Sequence, residues 1–598
     1  MTSRPTAVAP AAGNNHLDRQ ALVARADFTP EHTASPRSPG RRAPTSRRPR
    51  VPWPWAAAAV ATCVVLRLAL VATRFAPYDA TSAVTGLMAR HIRHGEQFAF
   101  LAGQQHTGAG EQYLTAAFTA GLGENRYTLR LTGILLSALA CWLVMTVVTR
   151  ITTPTRAVLA GFTYAIGSSA SLLYSVWPRG AHLSAQVIAL LAVDLCLRPM
   201  RREWLRAFLV GLCATVGMWQ SMTTVLVLIP VALWNLPSWW RSSSAAVAAC
   251  AGAALGALPL EYAVSSAGVS FLPDLNGHGD RSPSSRLVAL VGHDLPQALG
   301  LESAPTGGWD SAVGTTLIPG VPSWALVLPF LTAALVFAGC RWRGLLATLR
   351  GDLEERRPED LLLLVFLMVP LSVVMPLPAI AVEPRYLVPL VPLALVALFL
   401  PPGSLRATPA ERPAEAPSPG PAPSVDPSSS AGPSPRRPRR PGVLGFLWQF
   451  LAAATVLAVL ATTPRWVIGE VRVRGDRPDL ETSAERAART AVDSGVTQVS
   501  GDYWMVEPLD LAAGGHLSVR QTLTNQFVQD QARSTSPGVW ALAARSGPEA
   551  RAYGAWLTAG GHTFAARRFG QLVLFIDIMP GLTPHEVSDP VVNNPLGN

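Results

Sequence analysis

The amino-acid sequence predicts an all-α polytopic membrane protein with a small α/β extracytoplasmic domain toward its C-terminal end. Apolar residues make up 49% of the 598 positions, and charged residues make up only 15%. The apolar residues form long runs that contain few charges, as in helices that cross a bilayer. Beyond the last run, short strand-like and helix-like segments alternate instead, which is typical of a soluble domain.

A run of roughly twenty apolar residues is long enough to cross the membrane as a helix, and by this criterion we predict about eleven transmembrane helices. Their bounds are 52–73, 127–149, 156–176, 181–197, 204–220, 223–236, 245–265, 320–340, 361–380, 386–400 and 443–462. The break between the fifth and sixth helices is short, so this pair is the weakest part of the assignment.

The distribution of arginine predicts the orientation. All 49 basic residues are arginine, and they concentrate in alternate connections between the predicted helices. Positive side chains are retained on the cytoplasmic side of a membrane. We therefore expect a multi-pass protein of the cell (plasma) membrane, with a cytoplasmic N-terminus and an extracytoplasmic C-terminal domain. Because the arginines flank spans, the net charge of +11 does not indicate a nucleic-acid partner.

The remaining segments complete the predicted domain organisation. Two stretches rich in Pro and polar residues contain too little apolar surface to fold. The predicted order is a disordered cytoplasmic leader (1–50), a membrane domain (51–400) with a first outer loop (74–126), a disordered Pro/Ser-rich cytoplasmic linker (401–441), a last transmembrane helix (442–463) and an extracytoplasmic α/β domain (464–598). All six cysteines lie in or beside apolar runs, so neither a disulfide framework nor a zinc site is expected.

The first outer loop carries two carboxylates ahead of helix-like segments. Apolar residues recur at helical spacing between 84 and 92 and again between 114 and 122, which predicts amphipathic helices along the membrane surface. Asp79 precedes the first segment and Glu111 the second. Acidic side chains favour helix N-termini, and for Glu111 this explanation is as good as a functional one. It is weaker for Asp79, because the nearest periodic residues begin several positions later.

The loop sequence YDATSAVTGLMARHIRHGEQFAFLAGQQHTGAGEQYLTAAFTAGLGENRYTLRLTGILL resembles the first loop of GT-C membrane glycosyltransferases. The resemblance is strongest to the Rgt-type sugar transferases and more distant to the aminoarabinose-transferase and protein O-mannosyltransferase branch. The segments EPRYLVPL and GDYWMVEPLDL also resemble features of this family. The similarity covers most of 51–400 and part of the tail.

This resemblance implies a transferase that moves a sugar from a polyprenyl-phosphate donor to an envelope glycan, lipid or protein acceptor on the extracytoplasmic face. Asp79 would deprotonate the acceptor hydroxyl, and Glu111 would be its distant partner. The EPRY segment supplies Arg385 and Tyr386 as substrate-binding residues, and VWPRG supplies Arg179. Guanidinium groups bind phosphate oxygens through paired N–H donors, although a contact with a membrane-lipid headgroup is the alternative for each arginine.

Other polar residues near predicted span ends complete the candidate list. His182, beside Arg179, either contacts substrate or is an interfacial residue. Glu261 either lines the site or pairs with Arg67 of the first span, because carboxylates within membranes face a cavity or a partner. Asp194 lies near the inner end of its span and is expected to pair with nearby arginines. We expect the active-site cavity between the first-loop helices, the seventh span and the entry to the tenth.

Two questions stay open at this level. Members of the family often carry two adjacent acids after the first span, whereas Ala80 follows Asp79 here. Either one carboxylate suffices, with Glu111 as its partner, or the chain has lost activity. No cofactor or metal site is assigned, and a need for a divalent cation stays open. The alternative function is a secondary transporter or lipid-translocating protein, although the sequence lacks the inverted repeat typical of transporters; an inactive scaffold is a third.

Overall fold

The computed structural model describes the chain in segments. They are residues 51–73, 75, 78–102, 104–267, 282–302, 321–352, 356–374, 384–400, 443–475, 480–521, 538–583 and 585–588. The predicted leader and the predicted cytoplasmic linker lie outside these residues, so disorder in both stays a prediction.

Helices dominate the described residues as far as position 475. They are α1 (Trp53–Ala72), α2 (Ala80–Arg93), α3 (Gly110–Leu122), α4 (Arg126–Ile151), α5 (Pro154–Ile166), α6 (Ser169–Val176), α7 (His182–Leu197), α8 (Glu203–Gln220), α9 (Val225–Arg241), α10 (Ser243–Gly256), α11 (Leu258–Ala267), α12 (Pro283–Ala289), α13 (Leu295–Leu299), α14 (Ser323–Leu349), α15 (Pro358–Val374), α16 (Val391–Leu398) and α17 (Val443–Gly475). A short antiparallel pair of strands, β1 (Phe100–Leu101) and β2 (Gln104–Gly108), separates α2 from α3.

Within the described residues, five helices are long and apolar enough to span a membrane, or up to seven if each bent pair counts as one span. The chain is therefore a multi-pass membrane protein. The predicted count of eleven is not confirmed, because several predicted spans are short or bent helices. The predicted span 156–176, for example, is the pair α5–α6, bent by 64°. The side of the membrane that each terminus faces stays a prediction.

The bend between α5 and α6 has a local cause. Gly167 ends α5 with a φ of +71°, a backbone conformation that glycine adopts without strain. Ser168 then caps α6, since its Oγ accepts a hydrogen bond from the backbone N–H of Ser171 at 3.2 Å. A hydropathy window cannot detect this break, because the residues on both sides of it are apolar.

The first predicted surface helix differs from the observed α2 in two ways. It begins at Ala80, immediately after Asp79, whereas apolar periodicity placed its start several residues later. In addition, all residues from Ala80 to Ala89 are buried, so this part of α2 lacks the exposed polar face of an interfacial helix. Its first turn consists of small residues, which carry no amphipathic signal although they form a helix readily.

The predicted C-terminal α/β domain is present. It contains α18 (Leu480–Asp493), β3 (Gln498–Gly501), α19 (Tyr503–Ala513), β4 (Ser518–Gln521), β5 (Trp540–Arg545), α20 (Pro548–Ala559), β6 (Thr563–Phe569) and β7 (Leu572–Met579). The strands form one sheet in the order β4-β3-β5-β7-β6. The first three are mutually parallel, and β7 runs antiparallel to both of its neighbours.

Helix α19 of this domain packs directly on α2 of the first loop. A Cβ atom on Gly86 would lie only 2.7 Å from the Leu511 side chain, so glycine permits the close approach. Beside this contact, Arg90 donates a hydrogen bond to the backbone oxygen of Leu511 at 2.9 Å and forms an ion pair with Glu124 at 2.8 Å. The C-terminal domain therefore covers one side of the loop that carries Asp79.

Candidate active site

Asp79 is the N-cap of α2 and also the centre of a dense set of hydrogen bonds. Its Oδ1 accepts from the backbone N–H and the hydroxyl of Ser82, both at 2.9 Å, and from Nε1 of Trp177 at 3.2 Å. Its Oδ2 accepts from Nε and Nη2 of Arg179 at 3.1 and 2.9 Å. The capping role, judged weak from the sequence, is therefore real, and the same carboxylate also faces a guanidinium.

Arg179 reaches Asp79 from the connection between α6 and α7. Its guanidinium carbon lies 3.7 Å from the centre of the Trp177 ring, within cation–π distance. The Trp177 ring stacks in turn on Tyr174, with an interplanar angle of 14°, and the His182 ring packs edge-on against Tyr174. Three predicted site residues, Asp79, Arg179 and His182, are thus brought together through two aromatic rings.

Glu111 lies in the first turn of α3 and is buried, with 7% of its surface exposed. Its Oε1 accepts hydrogen bonds from the backbone N–H and the hydroxyl of Ser184, at 2.8 and 2.9 Å. Burial raises the pKa of Glu111 to about 7, although the hydrogen bonds from Ser184 oppose this shift. A carboxyl group that gains and loses its proton near neutral pH is suited to acid–base work.

The start of α3 fits closely against the end of α8. A Cβ atom on Gly110 would lie 2.2 Å from the Gln220 amide, and one on Gly108 would lie 2.7 Å from the backbone oxygen of Trp219. A side chain at position 108 would therefore clash with the backbone of α8, whereas one at position 110 would displace the Gln220 side chain. This close fit helps to set the position of Glu111. The Ser184 hydroxyl lies within hydrogen-bond distance of Gln220 Oε1, at 3.0 Å, which ties α7 to the same corner.

A cavity opens between α2, α3, α4, α6 and the start of α7. It measures about 310 Å³ when the space at its open mouth is included, and its interior has room for about one water molecule. Glu111, Gln112, Arg130, Tyr174 and Trp177 are among the residues that line it. The seventh predicted span, residues 245–265, does not line this cavity, although the sequence predicted that it would. Helices α4, α6 and α7 line it together with the two first-loop helices.

Glu261 is not part of this arrangement. It lies on α11 with an exposed side chain, and no ion pair joins it to Arg67 among the described residues. Arg67 is instead completely buried in α1 and donates from Nη1 to the backbone oxygens of Cys63 and Ala165. The predicted ion pair with Arg67 is therefore not observed, and Glu261 is not among the residues that line the cavity. Its position near a span end did not determine which way the helix turns it.

Three other predicted residues have separate outcomes. Arg385 and Tyr386 belong to a 3₁₀ segment, Pro384–Leu390, but their side chains lie outside the described part of the chain. Their proposed contacts with substrate stay predictions. Asp194 is buried and forms ion pairs with Arg150 at 3.1 Å and Arg198 at 2.9 Å, as expected.

Sequence reasoning missed Ser82, Ser184 and Gln112. Ser82 follows Asp79 at the spacing of a capping pair, so its role had a readable signal. The contact of Ser184 with Glu111 joins residues 73 positions apart and had none. Among the described residues, no group of three or more His, Cys, Asp or Glu side chains could hold a metal ion.

The raised pKa of Glu111 predicts a pH-dependent stability. A carboxyl whose pKa is near 4.5 when unfolded and about 7 when folded stabilises the protein most at low pH. This contribution, about 3 kcal/mol, is lost as the pH rises through 7. Thermal unfolding of the detergent-solubilised protein between pH 4.5 and 7.5 should therefore show stability falling with pH, and Glu111→Gln should flatten the curve. Equal slopes in both proteins would contradict the burial effect.

Comparisons with known proteins identify the fold. No family model matches the sequence, and a search of curated proteins finds no match. Among solved structures, the chain is similar to ArnT from Cupriavidus metallidurans bound to undecaprenyl phosphate, with a TM-score of 0.52 and 11% identity over 87% of this chain and 98% of that one. The apo state of ArnT gives a TM-score of 0.52 at 10% identity, with the same coverage.

The apo oligosaccharyltransferase of Archaeoglobus fulgidus is less similar, with a TM-score of 0.40 and 11% identity over 78% of this chain and 64% of that one. The two ArnT structures, which resemble this chain over most of its length, therefore show its fold. The particular architecture that the chain shares is that of ArnT, across nearly the whole of both chains.

Proposed function

We propose that this protein is an integral membrane glycosyltransferase that takes a sugar from a polyprenyl-phosphate donor. The observation that carries the proposal is the contact between Asp79 and Arg179 beside the cavity, at the first loop of an ArnT-like fold. A carboxylate and a guanidinium are the two groups that transfer from a lipid phosphate requires, one for the acceptor proton and one for the departing phosphate.

In the structure these two groups form an ion pair with each other. The side chains of Arg179 and Asp79 are only 10% and 15% exposed, so a substrate that enters competes with their mutual ion pair. A donor phosphate offers Arg179 the same bidentate geometry as the carboxylate. When Arg179 turns to the phosphate, Oδ2 of Asp79 is released and becomes available to the acceptor hydroxyl.

The proposed reaction then proceeds in one displacement. The acceptor oxygen forms a bond to the anomeric carbon, and the bond from that carbon to the phosphate oxygen breaks. The electron pair of the broken bond leaves with the polyprenyl phosphate, whose charge Arg179 balances. The acceptor proton passes to Asp79. Glu111 would act as a second carboxyl group, the distant partner of Asp79. Arg385, Tyr386 and His182 would contact substrate.

The acceptor and the side of the membrane belong to the same proposal. We place the reaction on the extracytoplasmic face, because the distribution of arginine puts the first loop and the C-terminal domain there. An envelope glycan, lipid or protein would receive the sugar. A membrane lipid of the polyprenyl-phosphate class is the proposed partner, in keeping with the undecaprenyl phosphate bound in the similar ArnT structure.

The test is incubation of the purified protein with a panel of radiolabelled polyprenyl-phosphate sugars, with hydrolysis and transfer scored separately. We expect release of polyprenyl phosphate from at least one donor. A folded protein that neither hydrolyses nor transfers any donor would overturn the proposal.

A secondary transporter is the alternative, and the two bent helix pairs α5–α6 and α10–α11 favour it, since transporters use interrupted helices. Proteoliposomes containing the same donors distinguish the two functions. Movement of intact donor across the bilayer, with no loss of its sugar, would support the transporter.

A further inference from the structure

Gln112 is a buried amide that has no hydrogen-bond partner among the described residues. Its side chain is fully enclosed, and neither the amide oxygen nor the amide nitrogen makes a hydrogen bond. An amide that gives up its bonds to water without replacing them destabilises a folded protein. An unpartnered amide at this depth is thus most simply explained as a group that awaits a ligand.

The cavity described above is where such a ligand would bind, because Gln112 lines it. The space inside is that of about one water molecule, which is also the size of one hydroxyl group. Two neighbouring hydroxyls, of Thr115 and Thr132, already bond to each other at 2.9 Å. By contrast, neither atom of the Gln112 amide is bonded to any described residue.

The chemistry of the walls favours an uncharged occupant. Glu111 and Arg130 both line the cavity, so opposite charges are available and neither sign is selected. A carboxamide presents one acceptor and one donor side by side. A hydroxyl group donates one hydrogen bond and accepts another, so it satisfies both atoms of the amide, whereas an ammonium group cannot accept and a phosphate is too large.

The cavity is also adjacent to the reactive pair. Trp177 lines it, and the same indole donates its N–H to Oδ1 of Asp79. A hydroxyl held by Gln112 would therefore lie one side chain away from the carboxylate. Sugars present hydroxyls on neighbouring carbons of a rigid ring, and aromatic faces such as those of Trp177 and Tyr174 suit the apolar faces of such rings.

We propose that Gln112 binds a single hydroxyl group of a sugar substrate and makes the enzyme selective for sugars that carry it. The inference rests on the proposed function, since it names a contact of the same site. The donor sugar and a glycan acceptor share this chemistry. The two sources are separated by measuring donor binding in the absence of acceptor.

The test uses polyprenyl-phosphate hexoses in which one hydroxyl at a time is replaced by hydrogen. For the wild type, removal of one particular hydroxyl should weaken donor binding about tenfold, the expected value of a neutral hydrogen bond. Gln112→Leu keeps the side-chain volume but not the amide. It should bind the parent donor about tenfold more weakly and show no further loss with that deoxy donor.

A stability measurement separates this role from a structural one. Without substrate, Gln112→Leu should leave the melting temperature unchanged or raise it, because it removes an unpartnered amide. Gln186 is the matched control: its buried amide accepts from Tyr164 at 2.9 Å and donates to the Val388 oxygen at 3.1 Å. Gln186→Leu should lower the melting temperature and leave the preference among deoxy donors unchanged.

The outcomes of these measurements test the inference about Gln112 separately from the proposed function. Equal sensitivity of wild type and Gln112→Leu to every deoxy donor and to every deoxy acceptor overturns the inference while leaving the proposed function intact. Loss of selectivity only among deoxy acceptors assigns the hydroxyl to the acceptor. Donor binding that depends on Gln112, with neither hydrolysis nor transfer of the sugar, keeps the inference and removes the proposed function. A wild type that binds none of the donors overturns both.

Discussion

Replacement of Asp79 with asparagine is expected to lower the rate of sugar transfer by roughly a thousandfold, a loss typical of removing a general base. Asparagine has nearly the same shape and is an equally good N-cap, so its oxygen can still accept from the Ser82 backbone and α2 should keep its start. It cannot take a proton from the acceptor. The measurement is transfer from whichever donor the wild type uses.

The control for this substitution is Asp194→Asn. Asp194 is likewise paired with arginines, at 3.1 and 2.9 Å, but it lies away from the first loop. It should therefore reproduce the cost of losing an ion pair while leaving transfer close to the wild-type rate. An Asp79→Asn protein that melts normally and retains more than about a tenth of the activity would remove Asp79 from the mechanism.

Arg179→Lys is expected to reduce kcat/KM by roughly a hundredfold, because lysine keeps the charge but loses the paired donors and the planar face. In the structure that face lies 3.7 Å from the Trp177 ring centre, and both donors bond Oδ2 of Asp79. The loss should appear with every polyprenyl-phosphate donor that the wild type uses, because each carries the phosphate that Arg179 would bind. It should be measured over a range of donor concentrations, so that kcat and KM are resolved.

Two comparisons make this prediction specific. Arg198→Lys alters a carboxylate-paired arginine of the Asp194 group and should leave kcat/KM unchanged. The double variant Asp79→Asn with Arg179→Lys should be little worse than Asp79→Asn alone, since the two side chains act together. Losses that simply multiply would show that the residues contribute to separate steps.

The fold was readable from the sequence to the extent that composition and pattern determine it. Long apolar runs predicted a helical membrane protein, and alternating short segments predicted the C-terminal sheet domain. The number of spans was not readable, because bending depends on contacts between distant residues. At the α5–α6 bend, for example, Ser168 donates to the Ala298 backbone oxygen at 3.2 Å, across 130 positions of the chain.

The site was partly readable for a similar reason. Asp79, Glu111 and Arg179 stood out as charges beside apolar runs, where charge is costly and calls for an explanation. Their pairing did not, since Asp79 and Arg179 lie 100 positions apart. Glu261 satisfied the same rule and yet faces outward. Gln112 is neither charged nor part of an apolar pattern, so it is distinguished by its burial without a hydrogen-bond partner among the described residues.

The meeting of Gly86 and Leu511 has a consequence for how such chains diverge. Because a methyl group added to Gly86 would displace the Leu511 side chain, bulk gained on one side of this contact must be balanced on the other. Related sequences with a larger residue at the first position should carry a smaller one at the second. A C-terminal domain exchanged between relatives would then fit only when the residues at the positions of Gly86 and Leu511 come from the same protein.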